Sequence, residues 1–143
     1  MEYIFSARIE PDPEGGFLVT FPDVPEAISG GRDQADARVN AAEALGLALR
    51  GIVAIGRPLP KPRTRGKRLV PVAVAPDTAL KLAVVDAFTR SKLSKREFAH
   101  RLGKAETEAR RILDPDHPTK LPAVQEALAM FGKEIIVAVR DAA

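Results

Sequence analysis

Near the start of this chain the apolar side chains change their spacing, from every second residue to every third or fourth, and that change commits residues 1–60 to a small sheet carrying one long helix. In YIFSARIE, Tyr3, Phe5, Ala7 and Ile9 alternate with Ile4, Ser6, Arg8 and Glu10, the period-two pattern of a half-buried strand. PDPEGG at 11–16 supplies turn formers, with Gly15 and Gly16 free to take positive φ. FLVTF at 17–21 reads as a second strand stopped by Pro22 and Pro25, and a short third strand is expected around Ala27 to Ser29. Ala35, Val39, Ala42, Leu45, Leu49 and Ile52 then form one apolar stripe on a helix capped by Asp33, whose carboxylate can accept from the free N–H groups two and three residues on. Gly56 and Pro58 end this helix. GRPLPKP at 56–62 should run extended, because each proline biases its predecessor away from helix. LVPVAV at 69–74 returns as one more strand, which Pro71 directs to a sheet edge.

Beyond Pro76 the helical spacing takes over. Leu80, Val84, Ala87 and Phe88 mark a first helix with Asp77 as its expected cap. Ser94 followed by Glu97 is a capping box, and Leu93 with Phe98 stands in register for a hydrophobic staple. That helix should run from Lys95 to Leu102, with Phe98, Ala99 and Leu102 inward and Gly103 making the turn. A third helix, Glu106 to Leu113, points Ala109, Ile112 and Leu113 inward until DPDHP at 114–118 breaks it. Leu121, Val124, Leu128 and Phe131 give the next apolar face, with Pro122 in the first turn.

Two short helices joined by a glycine turn and flanked by two others make the arrangement of a DNA-binding helix-turn-helix, although a plain helical bundle shares the periodicity. In the DNA reading the third helix enters the major groove. Thr107, Arg110 and Arg111 are then the base or phosphate contacts, with Lys104 and Lys95 beside them. Glu106 and Glu108 oppose this, since carboxylates repel phosphates. EIIVAV at 134–139 is a continuous apolar run, suited to a strand paired within the chain or to one paired with a second copy through Ile135, Ile136, Val137 and Val139.

Charge divides the chain the same way. Residues 1–60 carry a balance of −4, residues 61–76 carry +5 with no acidic side chain, and residues 77–143 carry +2. We therefore read a first unit at 1–60, a basic linker with an edge strand at 61–76 and a helical unit at 77–143. The absence of cysteine excludes disulfides, thiol catalysis and thiolate metal sites. His100 and His117 match no metal-binding spacing, so neither metal nor cofactor is expected. No apolar run approaches the ~20 residues that span a bilayer. MEYIFSARIE lacks the basic and then apolar order of a secretory signal, so the expected location is cytoplasmic.

EGGFLVTFPDVPEAISGG at 14–31, DQADARVNAAEAL from 33, RPLPKP from 57, KLSKREFAHRLGKAETEARRIL at 92–113 and GKEIIVAV at 132–139 together resemble the HicB antitoxins, in the variety with a C-terminal helix-turn-helix. The resemblance implies an α+β fold: an N-terminal partial ribonuclease-H-like β-sheet with one long helix, then a helix-turn-helix domain ending in a β-strand. It implies an antitoxin that masks a HicA-type toxin, a small basic ribonuclease cutting messenger RNA, and that represses its own operon by binding operator DNA; a homodimer or higher oligomer is expected because symmetric helix-turn-helix proteins bind two half-sites. Against a basic partner the available carboxylates are Glu10, Asp12, Glu14, Asp23 and Glu26, with Asp33 and Asp36 behind them. The chain departs from the family pattern at Glu26, where glycine is common, at Asp33, where threonine or serine caps the helix, and at Ala105, which replaces a capping residue before the third helix.

Catalysis is not expected. Ribonuclease-H chemistry needs carboxylates clustered around two metal ions, one of them inside the first strand, where this chain has Ser6 and Arg8, with Glu10 only at the end. Ser91, Ser94 and the two histidines form no recognisable nucleophile and base. The alternative to an antitoxin is a stand-alone helix-turn-helix regulator whose N-terminal domain senses a ligand or another protein.

Overall fold

In a computed structural model, which describes residues 1–142, strands β1 (Ile4–Pro11), β2 (Phe17–Thr20) and β3 (Ile28–Gly31) precede helix α1 (Gln34–Ala54). Strand β4 (Val70–Ala73) follows, and then α2 (Pro76–Ser91), α3 (Lys95–Leu102), α4 (Glu106–Leu113) and α5 (Leu121–Met130). The sheet is antiparallel throughout, in the order β3-β2-β1-β4. β1 serves two partners with its two halves: Arg8 to Pro11 face β2, and Ile4 to Ala7 face β4. Pro71 lies opposite Ser6 on the edge strand, where a residue without an N–H costs no interior ladder bond.

One face of the sheet is covered by α1. Phe5, Ala7, Val19 and Val72 meet Ala37, Ala41, Leu45, Leu49 and Ile52 in a first core that also takes Phe21, Val24 and Leu59. Asp33 caps α1 as its chemistry requires, accepting from the Asp36 N–H at 2.8 Å. The buried stripe nevertheless runs through Ala37 and Ala41, whereas Ala35 and Val39 are exposed. The cause is the close approach of α1 to β3. A methyl group on Gly31 would strike the backbone of Asp36 and Ala37, so only alanines fit on the inner side of the first helical turns. Asn40 fixes that docking by donating from Nδ2 to the Gly30 carbonyl at 2.8 Å.

The second core gathers Phe98, Ala99, Ala109, Ile112, Leu113, Val124, Ala127 and Leu128. Phe98 is its centre, edge-on to Phe88 and stacked on Phe131 with centroid separations of 5.5 and 5.7 Å. Helix α2 belongs to both cores: Leu82 and Val85 point into the first, Val84 into the second.

Three expectations are corrected. The α2 N-cap is Ala75, with no side-chain cap; Asp77 lies inside the first turn and accepts from its neighbour Thr78, because Pro76 already opens the helix without needing a capped N–H. Leu121 is half exposed rather than part of the inner face of α5. Residues 134–139 form no strand in the single chain: the run is without regular secondary structure, Ile135 alone packs on the second core, and Ile136, Val137 and Val139 are 83, 81 and 94% exposed. Intrachain pairing of this run is thereby excluded among the described residues.

Candidate partner-binding surfaces

The five carboxylates singled out in the N-terminal layer do different things. Glu10 and Glu14 are exposed at the end of the β1–β2 hairpin. Asp12 shapes the turn between them, accepting from the Glu14 N–H at 3.0 Å. Glu26 pairs with Arg57 at 3.1 Å, and its own backbone N–H together with that guanidinium holds its carboxyl below the usual range. Asp23 faces inward. Its Oδ2 accepts the backbone N–H groups of Arg63 and Thr64 at 2.9 and 2.8 Å, and its Oδ1 accepts the Thr64 hydroxyl at 2.6 Å. Burial alone would raise the Asp23 carboxyl, but these three donors and the nearby Arg65 charge hold it below the ordinary aspartate value.

α3 and α4 are joined by Gly103, Lys104 and Ala105. The Ser94–Glu97 capping box is formed in both directions, at 3.1 and 3.4 Å, and Gly103 closes α3 with φ at 67°. α4 divides cleanly. Ala109, Ile112 and Leu113 are buried, while Glu106, Thr107, Glu108, Arg110 and Arg111 are exposed. Lys95 is exposed at the start of α3. Lys104 is not a free cation: it lies 3.6 Å from Glu108 and 3.4 Å from Glu126 on α5. Glu106 sits between Arg96 and Arg110, at 3.9 and 4.0 Å. The two glutamates of α4 thus pair with neighbouring cations.

Lys81 had no counterpart in the sequence argument. It projects from α2 with 4% of its surface exposed, and its Nζ donates to the carbonyls of Arg111 and Ile112 at 2.9 and 2.7 Å and to the Thr119 hydroxyl at 2.7 Å. Three donors thus meet three acceptors, two of them carbonyls in the last turn of α4, the end of a helix that favours a cation. Burial drives the Lys81 amine down to about 8, the Asp114 charge opposing. The one available signal was its place in the apolar run LKLAVV, where a lysine needs a partner. His100 and His117 are both exposed, and no three histidines or carboxylates converge as a metal site among the described residues. No helix of the described residues is long and apolar enough to cross a membrane.

A family model described as HicB_like antitoxin of bacterial toxin-antitoxin system matches residues 4–83, which spans the whole sheet, α1 and the first half of α2. Antitoxin HicB of Escherichia coli (strain K12) is 34% identical over 133 residues, covering 92% of this chain and 95% of that protein. Antitoxin HicB 1 of Photorhabdus laumondii subsp. laumondii is 32% identical over 135 residues, covering 94% and 86%. Antitoxin HicB of Pseudomonas fluorescens (strain Pf0-1) is 28% identical over 142 residues, covering 99% and 95%. The chain belongs to the HicB antitoxin family. Its role is that of the antitoxin in a toxin–antitoxin system, with a toxin as partner, and it is not by itself an enzyme.

Proposed function

We propose that this chain neutralises a small basic HicA-type ribonuclease through its acidic N-terminal layer and represses its own operon by laying α4 of a helix-turn-helix into the major groove of operator DNA. The observation carrying the second half is the division of α4. A helix of eight residues buries Ala109, Ile112 and Leu113 and keeps Thr107, Arg110 and Arg111 outside the fold, which leaves an outer face for base edges and phosphates. The capping of α4 by Lys81 holds that face in one pose relative to α2. For the toxin, the exposed pair Glu10 and Glu14 offers charge to a basic partner, while Asp12, Asp23 and Glu26 shape the surface they stand on. The exposed residues Ile136, Val137 and Val139 support pairing between two copies, since such a run is an aggregation hazard unless another chain covers it, and paired helix-turn-helix units read paired half-sites. The complex would act in the cytoplasm, where messenger RNA is cut.

Co-expression with the product of the adjacent small reading frame tests the first half: the two should co-purify, and growth should be restored. No complex and no rescue sinks it. For the second half, Arg110→Ala should weaken binding to the upstream duplex by about 1–3 kcal/mol if it reads a base, with neutralisation unchanged. Unaltered affinity removes Arg110 from the reading surface.

A further inference from the structure

The basic strip KPRTRGKR at 61–68 is a fixed part of the fold. Thr64 is held on three sides: its N–H and hydroxyl bind Asp23, and its carbonyl accepts the Ser6 hydroxyl at 2.8 Å. Thr64 is half-buried, and its flanking residues Arg63 and Arg65 are exposed, as is Lys61. Exposure alternates along the strip, with Pro62 and Thr64 half-buried between exposed Lys61, Arg63 and Arg65, so these three cations stand outward together. A turn closed by the Leu69 N–H on the Gly66 carbonyl then places Lys67 and Arg68, both exposed, beyond them. Among the described residues none of the five forms an ion pair with a carboxylate, and Arg65 alone stands near enough to Asp23 for its charge to lower that carboxyl. The contrast is with α3 and α4, where Arg96, Lys104 and Arg110 all have glutamate partners with which a phosphate must compete.

We propose that this pinned strip binds the phosphate backbone of duplex DNA, adding sequence-independent attraction to that of the α4 face, where Arg110 is shared with Glu106. Its charge selects a polyanion and repels a basic toxin, so it is a different surface from the acidic hairpin. No aromatic residue stands between Lys61 and Arg68, so the strip has no platform on which bases of a single strand could stack. It offers positive charge alone, which suits a backbone whose bases are already paired. The choice of duplex DNA among polyanions rests on the operator-binding reading.

The test uses the full chain and a variant with Lys61, Arg63, Arg65, Lys67 and Arg68 all changed to Gln and Thr64 kept. Both are titrated between about 50 and 200 mM salt against three probes: a duplex of random sequence, the duplex upstream of the gene, and a single-stranded RNA of equal length. With about three phosphates reached, the salt slope on the random duplex should shrink by about 2.7, and affinity at the lowest salt should fall at least about tenfold. Arg63→Gln and Arg65→Gln singly should each remove about a third of the effect, a gradation that unfolding would not produce. Unchanged slope and affinity overturn the proposal, as does a wild type that binds no duplex. A loss confined to the RNA probe overturns it in favour of RNA. An upstream duplex bound no better than the random one ends the operator reading, and the random-duplex titration still decides for the strip. Sequence-specific binding that the variant retains in full ends the strip assignment and leaves the operator reading standing.

Discussion

The carboxylate of Asp23 accepts both the amide and the hydroxyl of Thr64, 41 residues further along the chain. Through this pair the FPDVP segment after β2 fastens the strip that leads into β4. Asp23→Asn puts an amide where two backbone N–H groups and a hydroxyl need acceptors, so stability should fall by about 1–3 kcal/mol. Amide exchange at Arg63 and Thr64 should accelerate well before global unfolding. Because the folded carboxyl titrates below its ordinary value, its stabilising effect is complete above about pH 4 and is lost as pH falls through the folded value. Protection at these two amides that survives both Asp23→Asn and acid would contradict the pinning role.

Gly31→Ala should destabilise the first core by about 1–3 kcal/mol, since the added methyl must push α1 off β3. Gly51→Ala is the internal control. A methyl at Gly51 meets nothing within 4 Å, and alanine favours helix, so a gain of up to about 1 kcal/mol is expected. Denaturant unfolding of both variants gives the comparison directly.

Lys81→Met leaves the Ile112 carbonyl without its Lys81 donor and the Arg111 carbonyl with only the Asp114 N–H, and stability at neutral pH should drop by about 1–3 kcal/mol. The wild type should also show a pH signature that the variant lacks. The Lys81 amine releases its proton near 8 when folded and near 10.5 when unfolded, so the unfolded chain binds more protons in between and stability rises with pH across that window, by roughly 3 kcal/mol at most. Tyr3 acts in the opposite direction at higher pH. Burial, with Asp86 adding to it, raises its hydroxyl to about 12, so its contribution is full below 10 and lost as pH climbs from 10 to 12. Unfolding free energies from pH 7 to 10 for wild type and variant isolate the lysine. Parallel curves would show that Lys81 titrates as an ordinary exposed amine.

On the proposed pairing of two copies, the wild type should run as a dimer in light scattering after size exclusion and Ile136→Lys combined with Val139→Lys as a monomer, with helical content unchanged, because both side chains are exposed in the single chain. A dimer that persists in the double variant places the interface elsewhere.

What could be read in advance follows the range of the interaction. The limits of α3 and α4 were legible because capping boxes, glycine turns and apolar spacing act within a few residues. β4 at the sheet edge was legible from one proline. The inner stripe of α1 was misplaced at Ala35 and Val39, since which side of a helix is buried near its start depends on how closely a distant strand approaches, here through Gly31. Lys81 and Thr64 were not legible as fastening points. Each is a polar residue satisfied by partners roughly thirty or more positions away, and local pattern carries no record of such pairs. Asp23 was noted as a surface acid, yet its carboxylate is occupied by the strip.

Helix α2, which lends Leu82 and Val85 to one core and Val84 to the other, makes the chain poor material for modular dissection. A cut after residue 75 strips the N-terminal layer of two of its buried side chains and leaves Leu82 and Val85 of α2 uncovered in the remainder. Melting should therefore be a single cooperative event, and a cellular protease that unravels either end extracts the shared helix from both. A toxin held by the N-terminal layer would then be set free in the same breakdown event that undoes the helical half, a synchrony built into the packing without any signal passing between two independent modules.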